Sequence, residues 1–285
     1  MVNVGWKLDK LLLISLDVDI KNKNNKPTVS LYSGITDKGA ILLNQLVQIE
    51  EVLEELEQGY SGVFRCVGQD GLQYYVKGHN VGREDQAKEW IAAQLAKEFG
   101  LPIANFALAE VDEYMHEYLS PSLKKIGHGL CFASQEVKMA QWPEPHVIAQ
   151  RVNPELQNDV LFFDYWIRNQ DRTKGNPNLL WVPHDEELFV IDHNLAFDPK
   201  FNKDDFLNYH IFSEARNRLF GDMFIQEQYQ SRLDKALESF QPAIKTISEA
   251  WQWHDLEETR PFKLDSDALL SILEEYKKPE FWSMK

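Results

Sequence analysis

The chain is expected to be an α+β protein, with a β-rich first part followed by a mainly helical second part. Three observations lead there. β-prone runs separated by turn signals fill the residues before Gly78. One clear amphipathic helix pattern, Arg83 to Gly100, follows them. From about Asp204 onward the apolar spacing is almost entirely helical. The natural division is a β-rich extension over 1–40, a β-rich segment over 41–140 and a helical segment over 141–285.

Composition excludes several classes. Of 285 residues, 44% are hydrophobic and 26% charged, enough apolar content to bury a core. Acidic residues outnumber basic ones 45 to 30, for a formal charge of −15. Such a surface repels phosphate backbones, and there is no basic patch to offset it, so no nucleic-acid partner is expected. Cys66 and Cys131 are too few for a metal cluster or a disulfide framework, and each sits in an apolar strand-like run as an expected buried thiol. The N-terminal residues lack a signal-peptide layout and "LLLIS" is too short to span a membrane, so a cytoplasmic protein without membrane attachment is expected.

The elements follow in order. "KLLLISLDVDI" and "PTVSLYSGI" flank the polar turn "KNKNNK", which suggests a hairpin within residues 1–40. Leu42 to Glu57 is compatible with a helix or a mixed segment. "GYSGVFRCVGQDGLQYYVKG" predicts two strands joined by "GQDG". The helix from Arg83 carries acids in its first turn and stops at Gly100. "LPIANFALAEV" and "GHGLCFASQEV" predict two more strands, and "QWPEP" a linker. "NPELQNDVLFFDYWIRN" predicts a buried helix with Asn153 as N-cap and Pro154 at its first position. Two short strands, Leu179–Val182 and Leu188–Ile191, then make a hairpin through "PHDEE".

Candidate chemistry gathers around that hairpin. The buried helix delivers Asp171 into a loop, Asn176 leads into the first strand, and Asp192 ends the second. Hairpin ends lie close together, so Asn176 and Asp192 should be neighbours with Asp171 beside them. Oxygen donors collected in this way suit a hard cation such as Mg²⁺. Upstream, Lys77 ends a strand among apolar neighbours and needs a partner if buried, which Glu89 on the next helix can supply. The turn Gly59-Tyr60-Ser61-Gly62 offers backbone N–H groups to an anion. Glycine turn, Lys, Glu, Asp-x₄-Asn and Asp, in that order, are the parts that kinases use.

"NQDRTKGNPNLL" and "FVIDHNLAF", with "YYVKG" and "AKEWIAAQLAKEFGLPIANFALAEV" upstream, resemble the HipA-like kinase family over roughly residues 46–201. The resemblance implies a bilobal kinase-like fold, with a small β-rich N-lobe over 41–140 and a mainly helical C-lobe over 141–285. It implies ATP and Mg²⁺ as cofactors. Lys77 would hold the α/β-phosphates and pair with Glu89. Asp171 would accept the acceptor hydroxyl's proton, and Asn176 and Asp192 would bind the metal. Gly59, Ser61 and Gly62 would form the phosphate loop, and toxin members of the family are inactivated by autophosphorylation of a loop serine. The sequence departs from ordinary protein kinases in its shortened glycine turn, in Asn169-Gln170-Asp171 and in Asp192-His193-Asn194.

The implied reaction is phosphate transfer to a Ser/Thr hydroxyl of a protein. A small-molecule acceptor is the alternative, and a pseudokinase acting as a binding module with a regulatory protein partner is another. Other readings of single residues stay open at the level of sequence. Asn178 competes with Asn176 as metal ligand, and Glu84 and Asp85 compete with Glu89. Lys77 could instead snorkel from an edge strand. Asp164 is either a support for the loop or a satisfied core carboxylate. Arg172 either faces the transferred phosphate or pairs with a carboxylate to hold the loop. His193 either orients the loop or simply packs. Phe162, Phe163, Tyr165 and Trp166 are expected in the core.

Overall fold

A computed structural model describes residues 46–56, 62–219 and 223–283. The hairpin expected within 1–40 lies outside the described residues, as do Gly59 and Ser61.

Five strands close into a barrel: β1 (Leu46–Leu56), β2 (Val63–Gly68), β3 (Gln73–Lys77), β4 (Phe106–Val111) and β5 (Gly129–Gln135), in the order β1-β2-β3-β5-β4. All neighbours are antiparallel except β1 and β4, whose parallel pairing (Leu46 with Leu108) closes the barrel. Alternation dictates the interior. Phe64, Cys66, Tyr74 and Val76 point inward from β2 and β3 and meet Ile49, Val52, Ala109, Cys131 and Ala133. Both cysteines are therefore buried and free, as the apolar context foretold.

The segment left between helix and mixed structure is a strand. Its pairing with β2 shifts register twice, between Ile49 and Glu51 and between Val52 and Glu54. Each bulge breaks the two-residue alternation by which a strand is recognised.

Helix α1 (Arg83–Phe99) crosses from the barrel to the helical region. Glu84 and Asp85 lie in its first turn, and Gly100 ends it at φ 93°, a left-handed cap whose N–H reaches the carbonyls of Ala96 and Lys97. The helix is buried on nearly every side: Trp90, Ile91 and Leu95 are wholly inaccessible. It packs on β5 and on two later helices, α7 (Met223–Leu237) and α8 (Phe240–Ala250), which follow α2 (Glu113–Tyr118), α3 (Pro145–Arg151), α4 (Pro154–Trp166), α5 (Lys203–Tyr209) and α6 (Arg216–Leu219). The chain ends in α9 (Ser266–Leu273) and α10 (Pro279–Trp282). Arg232 of α7 donates to the Phe99 carbonyl at 2.9 and 3.1 Å and pairs with Asp159 at 2.6 Å, fastening the end of α1 to the helical region.

Helix α4 begins as its sequence requires: the Asn153 side chain accepts from the Leu156 N–H, with Pro154 at the first position. Val160, Leu161, Phe162, Phe163 and Trp166 are almost wholly buried, each stabilising the fold by roughly 1.5–3 kcal/mol. Trp166 Nε1 donates to the Leu273 carbonyl at 2.8 Å. The linker expected over 141–145 runs to Glu144, and Pro145 already opens helix α3, of whose residues Ile148 is buried. Strands β6 (Leu179–Val182) and β7 (Glu187–Val190) form the expected hairpin. It is tied to the linker before β4 by the Val190 N–H to the Pro102 carbonyl, 2.8 Å. The fold is thus α+β, a β-barrel followed by a mainly helical region. Among the described residues no helix is long and apolar enough to cross a membrane.

Candidate active site

The site lies where the barrel meets the β6–β7 hairpin. Lys77 ends β3 beside Val76, and both are buried: Val76 belongs to the barrel core, whereas Lys77 lies on the opposite face of the strand, against α1 and Glu89. It is 7% exposed and does not snorkel. Its Nζ donates to Glu89 Oε1 and, at 2.7 Å, to Asp192 Oδ1. The rival Glu84 is engaged elsewhere, with Lys88 at 3.0 Å. Gln86, one turn before Glu89, braces the end of β3: its Nε2 donates to the Gly78 carbonyl at 2.8 Å, and its Oε1 accepts from the Phe132 N–H. Gly78 has to be glycine, because a Cβ there would sit 2.2 Å from the Ile126 carbonyl oxygen.

One ammonium thus serves two carboxylates. Burial alone would lower the Lys77 value, but Glu89 and Asp192 outweigh it and push the lysine above its ordinary range. Burial raises Glu89 to about 7, Lys77 opposing and the Asp192 charge adding to the rise. Asp192 is also raised by burial, yet Lys77 outweighs this and holds it down at about 2. The two partners of Lys77 therefore move in opposite directions. The less buried Asp192 keeps its charge, and the deeply buried Glu89 is the group that a proton reaches first.

Asp192 stands at φ 59°, a left-handed conformation that a non-glycine residue adopts at a cost. It is held there from both sides. The Ile191 N–H donates to the Asn178 carbonyl at 3.1 Å, and the His193 N–H to Glu89 Oε1 at 2.9 Å. The His193 ring packs edge-on against Phe163 and is 3% exposed, with burial pushing it down to about 3. Its ring packs while its backbone orients the loop.

A second trio stands on the loop between α4 and β6. Asp171 Oδ2 accepts from Asn176 Nδ2 at 2.7 Å and from Asn178 Nδ2 at 2.8 Å. Asn176 is exposed; Asn178 is 2% exposed and sits at φ 47°. The hairpin ends do meet, through the Ile191–Asn178 hydrogen bond, which links the Asp171 trio to the Lys77 trio. Asp164 is fully buried, accepts from Asn169 of the loop and is paired with the equally buried Arg172, whose guanidinium therefore points inward and away from solvent. Gly62 lies near the barrel rim, its carbonyl accepting from Asn80 at 2.7 Å. The sequence reading did not place Gln86 and did not choose Asn178; only the "NPN" spacing hinted at the latter.

The model of the HipA-like kinase family matches residues 49–285. No curated protein sequence matches. Among solved structures, the chain is similar to the Helicobacter pylori proinflammatory kinase CtkA at 14% identity and a TM-score of 0.42, covering 81% of this chain and 92% of that one. It is similar to the Golgi casein kinase with Mn/ADP bound at 13% identity and a TM-score of 0.43, covering 84% and 74%. A Leishmania major MAP kinase matches at 13% identity and a TM-score of 0.28, covering 82% and 79%. With the family's model covering nearly all of the barrel, the helical region and every residue of the two trios, the chain belongs to the HipA-like kinase family.

Proposed function

We propose that the chain transfers phosphate from ATP, with Mg²⁺, to a Ser/Thr hydroxyl of a protein, and that it divides near residue 140 into N- and C-lobes. The observation that carries this reading is Lys77 shared between Glu89 and Asp192, next to an Asp171 carboxylate gripped by two asparagines.

The residues fit both groups. A lysine ammonium has three N–H donors, and Lys77 spends two on carboxylates, which leaves one for a phosphate oxygen. Two carboxylates against one ammonium leave an excess negative charge that favours a cation. Because Asn176 Nδ2 is bound to Asp171, its amide oxygen is not used in that bond and is available as a hard donor. Mg²⁺, when bound, would neutralise charge on the phosphates. Asp192 and Asn176 would hold it, and Lys77 would steady the α/β-phosphates from its fixed position on Glu89. Asp171 would accept the acceptor hydroxyl's proton, its Oδ2 held by the asparagines and its Oδ1 directed to the acceptor. Such fixed charges and dipoles are expected to supply most of the rate enhancement.

The test is thermal shift with ATP and Mg²⁺, followed by labelled ATP and a cell lysate. Stabilisation that needs both ligands, and labelled protein bearing phosphoserine or phosphothreonine, is the expected result. Label confined to small molecules would redirect the acceptor, and no stabilisation at all would favour a non-catalytic binding module.

A further inference from the structure

Two residues close to Asp171 in the chain, Asn169 and Arg172, reach with their side chains to the same buried carboxylate, and Asn169 Oδ1 also accepts from the Asp171 N–H at 3.3 Å. Asn169 Nδ2 donates to Asp164 Oδ1 at 2.9 Å, and Arg172 Nε donates to Asp164 Oδ2 at 2.7 Å, with Nη2 reaching Oδ1 at 3.4 Å. His210 Nε2 completes the set at 3.0 Å from Asp164 Oδ2. The tautomer of His210 follows from its other nitrogen: Nδ1 accepts from the Phe212 N–H at 3.0 Å, so Nε2 carries the proton and donates. The ring is neutral, as burial favours. The pair of charges is therefore Arg172 with Asp164, both 0% exposed.

The opposite edge of the Arg172 guanidinium does something else. Nη1 donates to the carbonyl of Asn178 and, at 3.0 Å, to that of Ile191, with the Pro177 carbonyl at 3.5 Å. Asn178 holds Asp171 with its side chain, and Ile191 immediately precedes Asp192. One planar side chain thus touches the helix before the loop, the strand entry carrying the asparagines and the residue before Asp192. An ammonium, as a point donor, cannot bridge a carboxylate on one edge and two carbonyls on the other.

We propose that Arg172 is a positioning residue for phosphate transfer: through Asp164 and the Asn178 and Ile191 carbonyls it fixes Asp171 and Asp192 relative to each other. This rests on the kinase reading given above. Its loss moves the two aspartates independently, which lowers turnover without weakening the grip of Lys77 on nucleotide.

The test uses the full chain and two variants. Arg172→Lys keeps a charge on Asp164 but loses the carbonyl bridge. Asp164→Asn/Arg172→Gln removes both charges together, so that no buried charge is left unpaired if the lysine variant fails to fold. In each folded variant, kcat is expected to fall about 10²-fold with the nucleotide KM little changed. Affinity for Mn²⁺ in the presence of ADP, followed by electron paramagnetic resonance, should weaken by roughly tenfold. Amide exchange should speed up over residues 169–178 and 191–194 and stay unchanged in the barrel. Wild-type kcat, Mn²⁺ affinity and protection in either folded variant would overturn the assignment. Should the wild-type chain transfer no phosphate, the kinase reading fails by itself. The exchange measurement still decides whether Arg172 holds the two loops together.

Discussion

The His193 backbone N–H donates to Glu89 Oε1 at 2.9 Å, joining residues 104 positions apart. The same oxygen accepts from Lys77, so a single carboxylate atom ties α1, the end of β3 and the segment after Asp192 into one unit. α1 is itself fastened to α7 through Arg232. The Lys77–Glu89 pair is therefore held by contacts from three separate segments of the chain.

Glu89→Gln separates the two bonds. The amide oxygen still accepts from His193, but the charge opposite Lys77 is gone and Lys77 leans on Asp192. ATP turnover should fall roughly 10–100-fold, the range for losing a supporting partner, while near-native circular dichroism is retained. Turnover equal to wild type would show that the pair has no part in catalysis.

Asp171→Asn leaves Asn176 and Asn178 facing an amide in place of a carboxylate. Phosphate transfer should drop by about 10²–10⁴-fold, the range of general-base catalysis, with ATP affinity by calorimetry unaltered. An unaltered transfer rate would remove Asp171 from the reaction.

The two carboxylates on Lys77 give opposite pH signs. Asp192 is held at about 2, so its contribution is full above the ordinary Asp value of roughly 3.9 and is lost as pH falls through 2. Glu89 is raised from 4.5 to about 7, so the folded state binds a proton there that the unfolded chain releases. That contribution is full below 4.5 and is lost as pH rises through 7. Melting temperatures across this range should show Asp192→Asn flattening the acid limb and Glu89→Gln flattening the limb between 4.5 and 7. If each variant merely shifts the whole curve by a constant, the assignments are wrong.

Gly78→Ala probes the floor of the site. The added Cβ would meet the Ile126 carbonyl at 2.2 Å, and backbone cannot yield as a side chain would. Denaturant midpoints should show a loss of about 1–3 kcal/mol, typical of overpacking, and a reduced nucleotide affinity because Lys77 is the preceding residue. A neutral effect would mean that the strand end and the 123–126 turn separate easily.

Much of the fold was legible because its cues are local. Asn153 and Pro154 start α4, Gly100 stops α1, and "GQDG" turns β2 into β3, each through chemistry confined to a few residues. β1 was not legible, since its two register shifts erase the alternation and its strand character comes from β2 and β4 on either side. α3 was not assigned because Pro145 was placed at the end of the linker, although proline at a first position opens a helix.

The candidate site divides the same way. Residue types and order along the chain were enough to nominate Lys77, Glu89, Asp171, Asn176 and Asp192: Lys77 ends a strand, Asp171 and Asn176 lie on the loop before another, Asp192 follows the hairpin, and Glu89 lies beyond the first turn of the helix. Only the tertiary structure decided what each one touches. Lys77 reaches Asp192 across 115 positions, Asp171 is gripped by Asn178 as well as Asn176, and Arg172 turns inward to Asp164 and away from solvent. Caps and turns are set by neighbours within a few residues. The partner of a buried charge is set by which elements pack together, and that depends on the whole core.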